Sequence, residues 1–103
     1  MYKFKSKSAG DVIMMGDTGD RLLRAVGREP AAKGIFEAAA LPAARAAIEA
    51  AIAADEAARA AAEREAEAEG RHLPPREIAL RQRAWPLLEM MKRAQAEGHD
   101  IVW

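Results

Sequence analysis

Cysteine is absent from the 103 residues of this chain. Disulfide bonds, thiolate nucleophiles and sulfur-ligated zinc are therefore excluded. Small secreted domains often depend on disulfides, so this absence favours a reducing compartment. No apolar run approaches the roughly 20 residues that a membrane-spanning helix requires. We expect a soluble, cytoplasmic protein that has no contact with a membrane.

Hydroxyl and imidazole side chains are also scarce. The serine and threonine residues are Ser6, Ser8 and Thr18, and none of them lies in a nucleophile-elbow pattern. The two histidines, His72 and His99, fall in separate expected loops and lack the i, i+4 spacing of a helical metal-binding pair. We therefore expect no catalytic residues, no metal and no cofactor, and a protein that is not an enzyme.

Large apolar residues are nearly missing from the middle of the chain. Between positions 42 and 72, only Ile48 and Ile52 are apolar and larger than alanine, and 26 residues of the whole chain are alanine. The remaining bulk lies in residues 1–41 and 73–103. A chain of this length normally has one core, so the two apolar segments must pack together. We therefore predict a single domain over residues 1–103.

The N-terminal segment has the pattern of a β-hairpin. Residues 2–7 alternate apolar and basic side chains, which is typical of a half-buried strand with its lysines in water. Such lysines are also typical of a strand that discourages edge-to-edge pairing. We predict an α+β fold with a small, mainly antiparallel sheet of four strands near residues 2–7, 11–15, 33–37 and 100–103.

A glycine- and aspartate-rich turn over residues 16–20 precedes a short predicted helix. Asp17 or Thr18 is the expected N-cap, and Gly27 is the expected terminating residue. The turn lacks the glycine and lysine pattern of phosphate-binding loops, and its aspartates would repel phosphate. Helix capping is therefore the favoured interpretation, with a weak cation site at Asp17 and Asp20 as the alternative.

Residues 43–69 predict one long helix, because they contain no glycine or proline and consist mostly of alanine, glutamate and arginine. About 27 residues correspond to a rod of roughly 40 Å. Its first half can dock on the core through Leu41, Ile48 and Ile52. Its second half has only alanines to bury, so it should project, pack closely against another helix, or fray.

A break at Gly70–Pro75 separates the long helix from a last helix, which is expected to begin between Arg76 and Leu80 and to end by Gly98. We predict that the two helices form an antiparallel αα-hairpin on one face of the sheet. Pro86 lies inside the last helix and should kink or split it.

Charge is balanced overall but unevenly distributed. Residues 1–36 carry a net charge of +3, residues 37–69 carry −5, and residues 70–103 carry +2. The basic ends can complement the acidic middle within one molecule or between two copies, and we prefer this interpretation to nucleic-acid binding. The carboxylates over residues 63–69 should be solvated. The basic residues of the last helix should be solvated or paired with the acidic helix; they are Arg81, Arg83, Lys92 and Arg93.

Several short motifs along the chain occur in the order typical of one bacterial family. They are Tyr2–Lys7, Gly10–Met14, Gly19–Leu23, Lys33–Ile35, Leu41–Ala44, Leu80–Leu87 and Ile101–Trp103. Together they resemble the domain-of-unknown-function family numbered 1840 over nearly the whole chain. The resemblance implies a bacterial single-domain protein and supplies no catalytic or binding residues.

Three functions remain open at the level of sequence. The first is a non-enzymatic interaction module that self-associates through the second half of the long helix. The second is a nucleic-acid or ribonucleoprotein accessory that uses the N-terminal lysines and the arginines of the last helix. The third is a small-ligand pocket between sheet and helices, lined by Met14, Trp85 and Trp103. The paired methionines Met14-Met15 and Met90-Met91 are expected in the core, or else on an adaptable binding surface.

Overall fold

The computed structural model describes residues 1–76 and 78–103. Its four strands form one sheet in the order β2-β1-β4-β3, and every neighbouring pair is antiparallel. The strands are β1 (Tyr2–Ser6), β2 (Ala9–Met14), β3 (Ile35–Phe36) and β4 (Ile101–Val102). The predicted four-stranded sheet is confirmed, with its last two strands shorter than expected.

The alternation of β1 sets the two faces of the sheet. Tyr2 and Phe4 are buried and lie opposite Met14 and Val12 of β2, whereas Lys3 is exposed and lies opposite Ile13. Because β1 pairs with β4 on its other side, it is a central strand. The expectation that its lysines protect a sheet edge is therefore wrong, and β2 is the edge strand on that side.

Helix α1 (Gly16–Ala25) follows β2 almost without a loop. Met15 is its N-cap residue and makes no side-chain capping hydrogen bond, so the predicted caps Asp17 and Thr18 are wrong. The extended backbone of Met15 lets the strand lead straight into the helix, which places both residues inside the first turn. The predicted end is confirmed, since Gly27 has a φ of 81° just after the helix.

Two glycines permit close approach in the body of the fold. A Cβ on Gly19 would lie 2.0 Å from the ring of Tyr2, so α1 rests directly on that ring. The Tyr2 hydroxyl also donates a hydrogen bond to Asp20 of the same helix. A Cβ on Gly34 would lie 2.2 Å from the indole of Trp103. Both positions exclude any side chain unless the ring moves.

A short 3₁₀ turn (Ala38–Ala40) leads into α2 (Leu41–Ala68), and α3 (Leu80–Glu97) runs back beside it. The two helices are antiparallel: Arg45 Nη1 donates to Gln95 Oε1 at 2.7 Å, and Arg81 Nη2 donates to Glu56 Oε1 at 2.8 Å. This confirms the predicted hairpin. The predicted start region of the last helix includes Glu77, which lies outside the described residues.

Pro86 lies inside α3, which nevertheless continues as one helix. Of the two outcomes predicted for Pro86, a kink or a split, the split is therefore wrong. Proline removes one backbone N–H, but the turns on both sides are held by buried side chains, Ala84 before it and Leu87 and Leu88 after it. Pro86 itself is exposed, so its ring does not disturb the packed face.

The core lies between the inner face of the sheet and the three helices. Its fully buried large side chains come from β1, α1, the first half of α2, α3 and β4; they are Phe4, Leu22, Leu23, Leu41, Ile48, Ile52, Leu87, Met90, Met91 and Ile101. The two clusters of bulky residues at the ends of the chain therefore do form one core, and the first half of α2 docks on it as predicted.

The second half of α2, residues 57–68, extends beyond the end of α3; we call it the distal half. Among its residues only Ala66 is buried. The projection gives the molecule extents of 51 × 23 × 23 Å and a radius of gyration of 15.6 Å, whereas a compact chain of this size has about 13 Å. Of the three outcomes predicted for this segment, projection is the one observed.

The chain turns back at the end of α2 through Gly70, whose φ is 71°. The next residue, Arg71, donates its backbone N–H to the carbonyl of Ala66 at 2.7 Å, which closes the helix with a Schellman motif. We call residues 71–76 and 78–79 the return segment. Arg59 ties it to α2 by donating to the carbonyl of Pro74 at 2.8 Å.

Candidate functional site

A cleft of about 480 Å³ lies beside the free edge of β2. It is lined by Ile13, Met14, Met15, Ile78, Gln82 and Pro86, together with Thr18 and Arg83. Because Ile13 and Met14 point to opposite faces of the sheet, a cleft that touches both follows the edge of the strand. The edge of β2 and the N-terminal part of α3 therefore form its two walls.

Three of the apolar side chains that line this cleft are largely open to water. Ile13 is 64% exposed, Met15 is 60% exposed and Ile78 is 51% exposed. Trp85, at 55% exposed, follows Gln82 by three residues and so lies on the same side of α3. Of the two positions predicted for the paired methionines, Met14, Met90 and Met91 occupy the core, whereas the core position is wrong for Met15.

A second, polar cleft of about 390 Å³ lies where α1, α2, α3 and the return segment meet. Its charged centre is Asp55 of α2, whose carboxylate accepts from Arg21 of α1 at 3.0 Å and from Arg76 of the return segment at 2.6 Å. Its remaining lining residues are Asp17, Thr18, Ile78, Leu80 and Arg83. One carboxylate thus joins three elements at the point where the distal half begins.

The two hydrogen bonds determine the ionisation of Asp55. Burial alone would raise the pKa of this carboxyl, but the hydrogen bonds and positive charges of Arg21 and Arg76 outweigh burial and lower the pKa. Asp55 therefore stays ionised throughout the neutral range. Glu56, the next residue, is exposed, and hydrogen bonds from Arg81 lower its pKa as well.

Arg83 stands at the junction of the two clefts. Its Nη1 donates to the buried hydroxyl of Thr18 at 3.3 Å, and among the described residues it makes no ion pair. Both clefts are lined by Thr18, Ile78 and Arg83. We call the joined clefts the β2 groove, with an apolar half beside β2 and a basic half around Asp55.

The two histidines do not come together. His72 is exposed in the return segment, whereas His99 is half-buried between α3 and β4 with its Nδ1 2.8 Å from Ser8 Oγ. Glu97 Oε1 also lies nearest this same nitrogen, at 3.8 Å. A catalytic triad places the serine and the acid on opposite imidazole nitrogens, so this contact does not have triad geometry.

The acidic residues considered from the sequence do not form a common site among the described residues. Asp20 is engaged by the Tyr2 hydroxyl, and Asp17 accepts from the backbone N–H of Thr18 at 2.8 Å. Across residues 1–76 and 78–103, no group of three or more histidine and acidic side chains could hold a metal ion. In the acidic region over residues 63–69, every carboxylate is exposed.

The tryptophan-lined pocket expected from sequence is not assembled. Met14 lies on β2 at one edge of the sheet, whereas Trp103 packs against Phe36 at the other edge, with ring centroids 4.8 Å apart. The basic residues are likewise divided. Lys3 and Lys5 lie on the outer face of the sheet, while Arg81 turns toward α2 and pairs with Glu56, as the charge pattern predicted.

The β2 groove itself was not predicted from sequence. It depends on residues from five elements, which are β2, α1, α2, the return segment and α3. Its apolar half contains side chains expected either in the core or in a loop. One local signal does exist: Val12 to Met15 is apolar at every position. A strand with one solvated face normally alternates, so an unbroken apolar run indicates that its outer side chains also have a partner.

The fold defines an α+β protein in which a helical hairpin and a short helix cover one face of an antiparallel sheet. No helix within the described residues is both long enough and apolar enough to cross a membrane. The model of the family DUF1840, a domain of unknown function, matches residues 1–103, and the chain belongs to that family. No curated protein and no solved structure matches the chain.

Proposed function

We propose that this protein is a non-enzymatic interaction module that binds an extended segment of a partner protein along the edge of β2. The observation that supports this most strongly is the apolar half of the β2 groove. Three largely exposed side chains, Ile13, Met15 and Ile78, line a cleft beside β2, the strand at one end of the sheet. Isolated exposed apolar residues need no explanation, but a cluster around a groove is typical of a binding surface.

Backbone chemistry favours an extended segment as the occupant. An edge strand presents a row of N–H and C=O groups that another strand can pair with. Natural edges are usually protected by lysine, proline or short length, and the six-residue β2 contains neither lysine nor proline. A segment added to β2 would gain main-chain hydrogen bonds, while α3 and Ile78 would hold its inward side chains.

The experiment is a selection from a displayed random-peptide library against the purified protein, followed by affinity measurement on synthetic peptides. The test variant is Ile13→Lys, which places a charge in the apolar half. The matched control is Ile35→Lys, because Ile35 is also an exposed isoleucine of an edge strand but lies at the opposite edge. Burying an isoleucine contributes about 1.5–3 kcal/mol, so we expect Ile13→Lys to weaken binding about tenfold or more.

Two outcomes would contradict the proposal. One is a selection that enriches no peptide. The other is a set of peptides whose affinity falls equally in Ile13→Lys and Ile35→Lys, which would place binding elsewhere. Circular dichroism of both variants checks that the fold is unchanged.

Self-association through the distal half of α2 is a second candidate. Its support is that residues 57–68 project beyond α3 and expose most of their alanines. Alanine faces permit close helix approach, but they offer little area to bury. Size-exclusion chromatography with light scattering distinguishes monomer from dimer. A mass that rises toward that of a dimer at micromolar concentration supports this candidate, and a constant monomer mass excludes it.

The remaining sequence hypotheses gain nothing from the arrangement of their residues. The nucleic-acid hypothesis combines the N-terminal lysines with the arginines of α3. Of these lysines, Lys3 and Lys5 lie on the outer face of the sheet, opposite the face that α3 covers. The small-ligand hypothesis combines Met14 with Trp103, which lie at opposite edges. Neither is part of the proposal.

A further inference from the structure

The basic half of the β2 groove collects positive charge from separate elements. Arg21 comes from α1, Arg76 from the return segment and Arg83 from α3, and they face the two carboxylates of Asp17 and Asp55. Asp55 accepts one hydrogen bond each from Arg21 and Arg76. A guanidinium carries five N–H donors, so most donors of this cluster are not used by Asp55.

The position of Arg83 connects this charge to the apolar half. Arg83 lines both clefts, and the hydroxyl of Thr18 is its hydrogen-bond partner among the described residues. A ligand lying in the apolar half would therefore reach the guanidinium of Arg83 without leaving the groove. Among the residues that the structure describes, the groove presents apolar surface at one end, and three guanidinium groups against two carboxylates at the other.

We infer that the partner segment carries a carboxylate, and that Arg83 with its neighbours in the basic half binds it. This inference rests on the proposed function and adds the chemistry of the ligand: an extended peptide with apolar side chains and an acidic group. A planar carboxylate matches the fork geometry of a guanidinium, and such charge-assisted hydrogen bonds are about twice as strong as neutral ones.

A second copy of this chain fits the groove less well. Pairing through its own β2 would supply the apolar residues Val12 and Ile13 but only one acid, Asp11. That carboxylate already lies 3.7 Å from Lys3 Nζ of its own molecule. Such pairing would bring no unpaired β2 carboxylate to Arg83, so charge complementarity favours a separate acidic partner segment.

The test is a double-mutant cycle with the synthetic peptides from the selection. Each peptide is made with its carboxylate and with the matching amide, by Glu→Gln, Asp→Asn or C-terminal amidation, which also separates a side-chain acid from a chain terminus. Both forms are titrated by fluorescence polarisation against the natural protein, Arg83→Gln and the control Arg93→Gln. Arg93 is exposed on the same helix, about 15 Å further along.

We expect loss of the carboxylate to weaken binding to the natural protein by about tenfold or more, as for a hydrogen bond between charged groups. The same change should have little effect on Arg83→Gln and its full effect on Arg93→Gln. Peptides that depend on Ile13 but bind equally well as acid and amide would overturn this inference and leave the proposed function intact. A selection that yields no peptide sensitive to Ile13→Lys would overturn both.

Discussion

The two halves of α2 form one continuous helix but are stabilised in different ways. The first half presents Leu41, Ile48 and Ile52 to the core, and all three are fully buried. The distal half has the same alanine-rich composition but packs no large side chain. Burial of each large residue contributes about 1.5–3 kcal/mol, which the distal half lacks entirely.

The distal half is held by local interactions at its surface and its end. Helix propensity is high because alanine, glutamate and arginine dominate it. Arg59 bridges Glu63 at 2.8 Å and the carbonyl of Pro74 at 2.8 Å, and Gly70 closes the last turn. A helix can therefore continue through residues that bury no large side chain. The first half should therefore unfold only with the whole protein, whereas the distal half should open by itself.

The largest expected effect is that of removing bulk from the first half. Ile48→Ala should lower the free energy of unfolding by about 2–5 kcal/mol, because Ile48 is fully buried and its loss leaves a cavity. Urea denaturation followed by circular dichroism measures the change. The control Ile78→Ala, at a half-exposed isoleucine, should change the free energy by only about 0.5 kcal/mol. Equal losses in the two variants would contradict the assignment of Ile48 to the core.

A somewhat smaller effect is expected from filling the contact between α1 and Tyr2. Gly19→Ala should cost about 1–3 kcal/mol, since its Cβ would overlap the Tyr2 ring. Gly16→Ala in the same helix is the control, because its Cβ would meet nothing closer than 3.7 Å. Thermal unfolding of both variants provides the measurement, and a Gly19→Ala protein as stable as the natural one would show that the ring can move aside.

The junction between the two halves depends on Asp55. Asp55→Asn should lower the free energy of unfolding by about 1.5 kcal/mol at neutral pH, because it weakens charge-assisted bonds from Arg21 and Arg76. The folded-state pKa of Asp55 is lowered, so its contribution is present above the unfolded pKa of about 3.9 and is lost as pH falls through the folded value.

The difference between natural protein and Asp55→Asn should consequently be constant near pH 7 and shrink below about pH 4. Urea denaturation at a series of pH values follows it. Glu63→Gln serves as the control, since its ion pair with Arg59 is exposed and lies within the distal half. A difference that grows on acidification would contradict the direction of the pKa shift.

The smallest effect is the most direct test of the comparison. Ala46→Gly and Ala61→Gly each remove helix propensity of about 1 kcal/mol at an exposed site, one in each half. Ala46→Gly should reduce global stability by that amount. Ala61→Gly should instead speed hydrogen exchange of the distal half and leave global unfolding unchanged. Equal effects on global unfolding would show that the two halves unfold as one unit.

Most of the helices and strands could be predicted because each depends on the residue pattern of its own segment. The bulk of Leu41, Ile48 and Ile52 identified the docking half of α2, and Gly27 and Gly70 marked helix ends through their backbone freedom. The predictions that were wrong concern places where a local sequence preference competes with tertiary packing. Pro86 lies in a helix whose flanking turns are well packed, so tertiary contacts outweigh one missing hydrogen bond.

The β2 groove could not be predicted because it depends on strand order. The alternation of β1 is the same for a central strand as for an edge strand, so the exposed edge of β2 became known only from the topology. Arg21, Arg76 and Arg83 are separated in sequence and come together only because the hairpin folds back over α1. Periodicity describes one element at a time, whereas this site lies between elements.

The projection of α2 also affects how the mass of this protein is measured. A particle more than twice as long as it is wide, 51 by 23 Å, experiences greater friction in solution than a sphere of equal mass. Gel filtration against globular standards should therefore place the monomer at too large an apparent mass. An early elution volume by itself should be taken as a sign of shape, and a dimer inferred only when scattered light reports twice the mass.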